Sequence, residues 1–296
     1  MSYYMTASKK AILVVSYGTS YEETREKTIG AIERHIADTH PGWEVRRAFT
    51  SKSVLRILEK KGVHIDFVSD ALDRMIYDGI DTVIVQPTHV MNGLEYDIMM
   101  KVVRDYSVYF RYIEVGTPLL TSAEDYDEVI AAIERSFITK SNEVCGKNHA
   151  IVLMGHGTDH FANSTYSELQ LRLMTSGHTN VFVTTVEGFP SFDDTISMMR
   201  AGGYDEVALF PMMLVAGDHV INDMAGDDED SLKCVLEDEG YKVTCIVKGL
   251  GEYPDFQELF RFHVDVAMSR LPSGSASDVV SGAVPERSVA GSSILR

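Results

Sequence analysis

The chain has 296 residues, and its 27 Lys and Arg against 44 Asp and Glu give a formal charge of −17 and a pI near 4.9. Hydrophobic residues make up 45% and charged residues 24% of the sequence, which excludes a wholly disordered protein. The acidic balance argues against nucleic acid and against anionic membranes as partners, because both are bound by clustered Lys and Arg.

Segments for export or membrane insertion are not apparent. No apolar run approaches the roughly 20 residues that cross a bilayer, and the first ten residues lack the apolar segment of a secretory signal. The three cysteines, Cys145, Cys234 and Cys245, form no C-x-x-C pair, so neither a disulfide framework nor a zinc ribbon is indicated. We therefore expect a cytoplasmic protein.

Short β-rich runs alternate with longer amphipathic stretches along the chain. This alternation predicts an α/β fold with mainly parallel sheets, and the almost continuously apolar runs are typical of strands covered on both faces. The predicted strands are residues 11–16, 44–49, 82–86, 112–116, 150–154, 180–186, 206–211 and 242–247. The clearest predicted helices are residues 22–39, 67–78, 125–137, 191–201, 231–239 and 255–269.

Two internal similarities divide the chain into halves. A strand followed by Gly-Thr occurs at Gly18 and again at Gly157, and a strand ending in Pro with Gly six residues later occurs at Pro87 and again at Pro211. Chance similarity between apolar strands is the alternative, but two matches in the same order favour duplicated domains. We predict domains at 1–146 and 147–271, a linker at 139–147 and a flexible tail at 272–296.

Three residues of ligand type in the second half each follow a predicted strand, about one strand–helix repeat apart. They are His156, Glu187 and His219. Because the carboxyl ends of parallel strands share one sheet edge, two imidazoles and a carboxylate can converge there on a divalent first-row metal. Each residue also has a structural interpretation: a hydrogen-bonding histidine, an exposed acid or helix cap, and a histidine in a first helical turn.

Other candidates are weaker. His160 lies four residues after His156, and we regard it as pocket wall rather than ligand; His89 and Glu95 hold comparable places in the first half. The loop at 16–20 can present N–H groups and hydroxyls to a carboxylate or phosphate, and a plain capped turn is the alternative interpretation. It matches neither the Walker A nor the dinucleotide pattern, so no nucleotide is expected.

Four segments resemble those of the anaerobic sirohydrochlorin cobalt chelatases, which are class II chelatases related in fold to ferrochelatase. These segments are residues 14–20, 47–51, 154–157 and 214–223, and the resemblance covers roughly residues 9–271. It implies two Rossmann-like domains with a tetrapyrrole in the cleft between them. It also implies that His156, Glu187 and His219 hold the entering metal, that His156 accepts a pyrrole proton, and that Glu187 assists catalysis.

The implied reaction is insertion of Co²⁺ into sirohydrochlorin in cobalamin synthesis. Fe²⁺ or Ni²⁺ would suit the same ligands. A protein that carries metal or tetrapyrrole without catalysis is the alternative from another functional class, and a homo-oligomer is a further partner hypothesis. Sirohydrochlorin is a polycarboxylate, so this acidic protein needs a locally neutral or positive cleft. We expect the cleft to be lined by Ser16, Thr19, Ser20, Thr88, His89 and Gly217, with Arg46, Arg47 or Lys52 nearby.

Overall fold

The computed structural model describes residues 8–272, and the predicted tail beyond residue 272 lies outside that range. Eight strands form two sheets of four, and all eight were predicted to within two residues at each end. The strands are β1 (Lys10–Ser16), β2 (Glu44–Phe49), β3 (Thr82–Pro87), β4 (Tyr112–Val115), β5 (His149–Gly155), β6 (Val181–Thr185), β7 (Glu206–Pro211) and β8 (Lys242–Cys245).

Both sheets are entirely parallel and share one strand order, β2-β1-β3-β4 in the first and β6-β5-β7-β8 in the second. This order places a topological switch point between β1 and β3, and another between β5 and β7. The predicted α/β class with parallel sheets is confirmed, and the repeated order agrees with duplication.

Eleven α-helices within residues 8–272 connect and cover the strands. The sequence patterns did not identify α3, α5 and α8; α3, for example, has a narrow apolar stripe of Val54, Leu55 and Leu58 within an otherwise charged segment. The helices are α1 (Glu22–Lys27), α2 (Ile29–Thr39), α3 (Lys52–Lys60), α4 (Val68–Tyr77), α5 (Leu94–Tyr106), α6 (Ala123–Ile133), α7 (Thr139–Val144), α8 (Ser164–Thr175), α9 (Phe192–Met199), α10 (Leu232–Asp238) and α11 (Pro254–Met268).

The structure corrects two predicted segments. The helix expected at 22–39 is divided at Thr28, whose φ of −110° and ψ of −80° are not helical, and whose hydroxyl donates to Thr24 O at 2.6 Å. Gly251 packs so closely here that an added Cβ would lie 2.8 Å from Thr28 Cα. The segment expected to be a linker at 139–147 is largely helix α7, which continues α6 through a π-helical turn at Glu134–Ile138.

Each sheet buries alternate side chains on opposite faces. In β1, Ile12 and Val14 join a large apolar cluster that includes residues of both sheets, whereas Leu13 and Val15 join a cluster with α4 and α5. The outer face of the second sheet packs with α9 and α10. The two halves therefore share one continuous core between their inner faces.

Two helical segments cross between the halves. Helix α11 packs on α2, β3 and β4 of the first half, and its His263 bonds Thr117 O and Asp125 Oδ1, both at 3.0 Å. In the opposite direction, Phe137 of the π-helical turn stacks on Phe210 of β7, with ring centroids 4.7 Å apart. The boundary at 146/147 stays a prediction, because part of each segment packs on the other half. Within residues 8–272, every helix is too short or too polar to span a bilayer.

Candidate active site

The carboxyl edge of the second sheet brings two of the predicted ligands together. His156 directly follows β5, and His219 lies in the helical turn that starts at Asp218 after β7. Since β5 and β7 flank the switch point of this sheet, the chain diverges there and leaves a crevice at the strand ends. Both imidazoles occupy that crevice.

The two imidazoles face each other through matching nitrogen atoms. His156 Nε2 lies 3.1 Å from His219 Nε2, and the rings meet edge to face at 84°. His156 Nδ1 lies 2.9 Å from Gly157 O, and His219 Nδ1 lies 2.6 Å from Asp223 Oδ2. Because a carbonyl and a carboxylate only accept, each Nδ1 carries a proton, and the two Nε2 atoms are the ones that face each other.

Two imidazole Nε2 atoms at this distance can share either one proton, in a hydrogen bond, or one metal ion. Nitrogen ligands about 2.0–2.1 Å from a tetrahedral or square metal lie about 2.9–3.4 Å apart. The Nε2–Nε2 distance of 3.1 Å therefore fits two ligands of one metal ion. The carboxylate behind His219 is the type of second partner that orients ligating histidines in proteins.

Glu187 contacts this pair through its backbone N–H and not through its carboxylate. Its N–H donates to His156 O at 2.8 Å, and its side chain is exposed. Within residues 8–272, no three His, Cys, Asp or Glu side chains are close enough to hold one ion together. The structure thus joins two of the three predicted ligands and leaves the Glu187 side chain directed to solvent.

Close packing fixes the backbone that carries His156. Gly157 has a φ of +82°, and an added Cβ would lie 2.2 Å from Glu187 O, so this position requires glycine. The Tyr166 hydroxyl accepts the N–H groups of His156 and Gly157, and burial raises the pKa of Tyr166 to about 12. Sequence reasoning missed Tyr166, and it also missed Asp223, although the i,i+4 spacing from His219 was a usable signal.

The predicted cleft residues of the first half divide into buried and accessible groups. Ser16 and Thr88 are fully buried, and the Thr88 hydroxyl donates to Ser16 Oγ at 2.8 Å. Thr19 is also buried and accepts the Tyr21 N–H at 3.3 Å, whereas Ser20 is half-buried. Ser16 and Thr88 therefore brace the loop from behind.

His89 differs from these residues because its ring has no partner. Neither Nδ1 nor Nε2 has a hydrogen bond within the described residues, and burial lowers the pKa of His89 to about 4. The ring is consequently neutral at physiological pH. Its two nitrogen atoms are unused polar groups next to the end of β3.

The two carboxyl edges face each other across a cleft. An added Cβ on Gly217 would lie 4.0 Å from Thr19 Oγ1, and Tyr21 Oη donates to Asp218 Oδ1 at 3.2 Å. On the other side, His160 Nε2 lies 3.5 Å from Asp97 Oδ2. His160 therefore lies in the cleft wall and contacts the other half.

Two of the three expected cationic residues lie elsewhere. Arg46 is paired with Glu44 and Asp78, and Arg47 is paired with Glu33, so their charges are neutralised within the first half. Lys52 is exposed beside a pocket at the carboxyl edge of the first sheet. The expectation that Arg46 or Arg47 supplies charge to the cleft is wrong, because nearby acids already bind both.

Comparison with known families gives a match over nearly the whole described chain. A family model described as "Cobalt chelatase (CbiK)" matches residues 10–269. A sirohydrochlorin cobaltochelatase of Salmonella typhimurium is 38% identical over 262 residues, which is 88% of this chain and 97% of the relative. The sirohydrochlorin cobaltochelatase CbiKC of Nitratidesulfovibrio vulgaris is 31% identical, over 90% of this chain and 94% of the relative.

Solved structures with the same architecture include two of SirB. SirB from Bacillus subtilis with Fe³⁺ gives a TM-score of 0.62 at 16% identity, and covers 88% of this chain and 95% of that chain. The sirohydrochlorin chelatase SirB from Bacillus subtilis subspecies spizizenii in complex with cobalt gives 0.58 at 14% identity, over 88% of this chain and 97% of that chain. At these identities the likeness shows the fold alone, and it confirms two chelatase-type domains.

Proposed function

The chain belongs to the cobalt chelatase family, and from that premise we propose that it inserts Co²⁺ into sirohydrochlorin in the anaerobic synthesis of cobalamin. The observation that carries this proposal is that the Nε2 atoms of His156 and His219 face each other at 3.1 Å. A site that can hold either a proton or a metal ion suits a reaction that exchanges the two.

Insertion replaces two pyrrole N–H protons by one Co²⁺ ion, so the enzyme must receive two protons for each metal it delivers. His156 Nε2 accepts a pyrrole proton, and Gly157 O holds the ring in the required tautomer through Nδ1–H. His219 Nε2 binds the metal with the Asp223 carboxylate behind it. The two Nε2 atoms thus serve first as metal ligands, and each accepts one of the two pyrrole protons once the metal has moved to the macrocycle.

A loosely held metal is a requirement of this reaction. A closed four-ligand cage retains its ion, whereas two imidazoles and the exposed Glu187 carboxylate leave coordination positions for water and then for the pyrrole nitrogen atoms. Glu187 offsets part of the charge of the metal and passes protons to solvent.

The tetrapyrrole enters between the two carboxyl edges. Ser20 and Gly217 are the partly exposed residues that we assign to its contact surface. Behind them lie the buried residues Ser16, Thr19 and Thr88 and the buried ring nitrogen atoms of His89. Since the cysteines are all free and partly buried, a reducing cytoplasm is the setting we propose.

An insertion assay tests this function. The full chain is mixed with metal-free sirohydrochlorin and Co²⁺, Fe²⁺ or Ni²⁺ in parallel, and the absorbance change of the macrocycle is followed. We expect the catalysed rate with Co²⁺ to exceed the rate without protein by orders of magnitude. Faster insertion of Fe²⁺ or Ni²⁺ would replace cobalt as the substrate, and tight binding of both reactants without acceleration would identify a carrier.

A further inference from the structure

The carboxyl edges of the two halves correspond residue by residue, and their backbone hydrogen bonds identify the matching positions. In each half, two successive N–H groups after the edge strand donate to two successive carbonyls at the end of the first strand, namely its last residue and the residue that follows. The bonds are Thr50 N–H to Ser16 O at 2.9 Å, Ser51 N–H to Tyr17 O at 3.2 Å, Val186 N–H to Gly155 O at 3.1 Å and Glu187 N–H to His156 O at 2.8 Å.

Tyr17 therefore corresponds to His156, and Ser51 corresponds to Glu187. A third match follows from the helices after β3 and β7, where the Asp97 N–H donates to Gly93 O and the Ile221 N–H donates to Gly217 O, both at 3.0 Å. This places Glu95 at the position of His219, since each is the second residue after its glycine. In the first half, the counterparts of the proposed metal ligands are thus Tyr17, Ser51 and Glu95.

These three counterparts line one pocket of about 570 Å³ at the carboxyl edge of the first sheet. The pocket has lost both imidazoles, so it no longer offers the ligands that a first-row metal prefers. Hydroxyl and ammonium groups replace them, because Thr50, Lys52 and Lys101 also form its wall.

Thr50 provides the sign that a ligand is missing. The residue is 3% exposed, yet its Oγ1 has no hydrogen-bond partner within residues 8–272. A buried hydroxyl without a partner is costly unless something fills the site. It lies just before Ser51, the N-cap of the nine-residue helix α3, whose first N–H groups favour an anion.

The charges around the pocket balance in an otherwise acidic protein. Lys52 and Lys101 oppose Glu95 and Asp105, and the end of α3 adds a partial positive charge. The Lys52 ammonium is held over the ring of Phe67, 5.4 Å from its centroid. The pocket is therefore close to neutral within a chain of formal charge −17, and Glu95 Oε2 in its wall is also buried without a hydrogen-bond partner among the described residues.

We propose that this pocket binds a peripheral carboxylate of the tetrapyrrole, through Thr50 Oγ1, the first N–H groups of α3, and the Lys52 and Lys101 ammonium groups. The inference rests on the proposed function, because it assigns a place to one edge of the same substrate. The pocket adjoins the cleft, since Tyr17 in its wall lies two residues before Thr19, which faces Gly217 of the other half.

The test measures binding of metal-free sirohydrochlorin to the full chain by absorbance titration. The variants are Thr50→Val, which keeps the shape of the side chain, and the double variant Lys52→Gln with Lys101→Gln. Lys60→Gln, at the opposite end of α3, is the control. We expect the double variant to raise Kd about tenfold, Thr50→Val to raise it severalfold, and the control to leave it unchanged.

A chemical control separates carboxylate recognition from a structural effect. With the methyl ester of the tetrapyrrole, which has no carboxylates, wild type and double variant should bind equally. A Kd within twofold of wild type for the double variant, or an equal loss with the ester, would overturn the subsite. If the variants bind more weakly than wild type as expected but wild type inserts no metal, the proposed function fails and the subsite remains. If wild type inserts metal normally but the variants keep the wild-type Kd, the subsite fails and the proposed function remains.

Discussion

The two halves of this protein share one scaffold but carry different side chains at its carboxyl edge. The second half presents His156, Glu187 and His219 at its carboxyl edge, and the first half presents Tyr17, Ser51 and Glu95 at the corresponding positions. Strand order and hydrogen-bond pattern are the same, so the difference lies in a few side chains at the strand ends. After duplication, the edge of a parallel sheet can therefore change its ligand without any change in the sheet.

The support behind the two sites differs in the same way. His219 is backed by Asp223, four residues later in the same helical turn, whereas the residue four positions after Glu95 is the fully buried Met99. An imidazole with a carboxylate behind it is a good metal ligand, but a carboxylate with a methionine behind it gains no such support. The comparison therefore supports our proposal that metal and proton chemistry belongs to the second half.

The largest expected effect on insertion comes from truncating His156, and truncating its counterpart Tyr17 is the matched change. His156→Ala removes the proton acceptor and should lower kcat for insertion by about 10²- to 10⁴-fold while the protein still binds the tetrapyrrole. Tyr17→Ala, the matched change in the first half, should act on KM for the tetrapyrrole rather than on kcat. Steady-state insertion kinetics with a separate binding titration measure both. A large fall in kcat for both variants would break the comparison.

The Thr88 N–H donates to Val15 O and the Met212 N–H donates to Met154 O, both at 2.8 Å, so the next residues, His89 and Met213, correspond. His89→Met therefore gives the first half the residue of the second. The pKa of His89 is lowered from 6.5 to about 4 by burial, so the unfolded chain takes up the proton first. Stability is intact above pH 6.5 and is lost as the pH falls toward 4; between pH 7.5 and 5 the loss is about 2 kcal/mol.

Urea unfolding of wild type and His89→Met at several pH values measures this loss. The quantity followed is the difference between their free energies of unfolding, which should change with pH. The subtraction removes the titration of all other groups. Parallel pH profiles would show that the His89 ring is hydrated in solution.

Asp223→Asn tests the support behind His219. The amide keeps the size of the side chain but removes its charge, and we expect the affinity for Co²⁺ to fall about 10- to 100-fold. Calorimetric titration without tetrapyrrole measures it. Asp227→Asn, at an exposed acid that pairs with Lys233, is the matched control and should bind Co²⁺ like wild type.

The smallest expected effects concern the two contacts across the cleft. Tyr21 and His160 lie four residues after Tyr17 and His156, and each contacts the helical turn of the opposite half. Tyr21→Phe and His160→Gln should each change the free energy of unfolding by less than about 1 kcal/mol, since both contacts are partly solvated. Thermal unfolding measures the stability of both variants. A clearly larger loss of stability in one variant would show that its contact alone stabilises the cleft.

The sequence predicted the strands well because burial on both faces leaves continuous apolar runs, which few other elements show. It predicted that His156 and His219 meet because parallel strands share an edge. It did not predict the protonated Nδ1 atoms or the Tyr166 support, because these depend on which backbone groups lie within 3 Å after folding. The crossing of α11 was also not predictable, since an amphipathic pattern indicates a buried face but not the sheet that covers it.

The crossed helices have a consequence for the order in which the protein can be made. Helix α11 covers the inner face of the first sheet, and yet it is translated after every strand of both sheets. Until Pro254–Met268 leaves the ribosome, the side chains of Ile12, Val14 and Ile84 have no complete cover. We therefore expect the two halves to mature together after synthesis rather than one after the other, with the nascent first half as a natural client for chaperones.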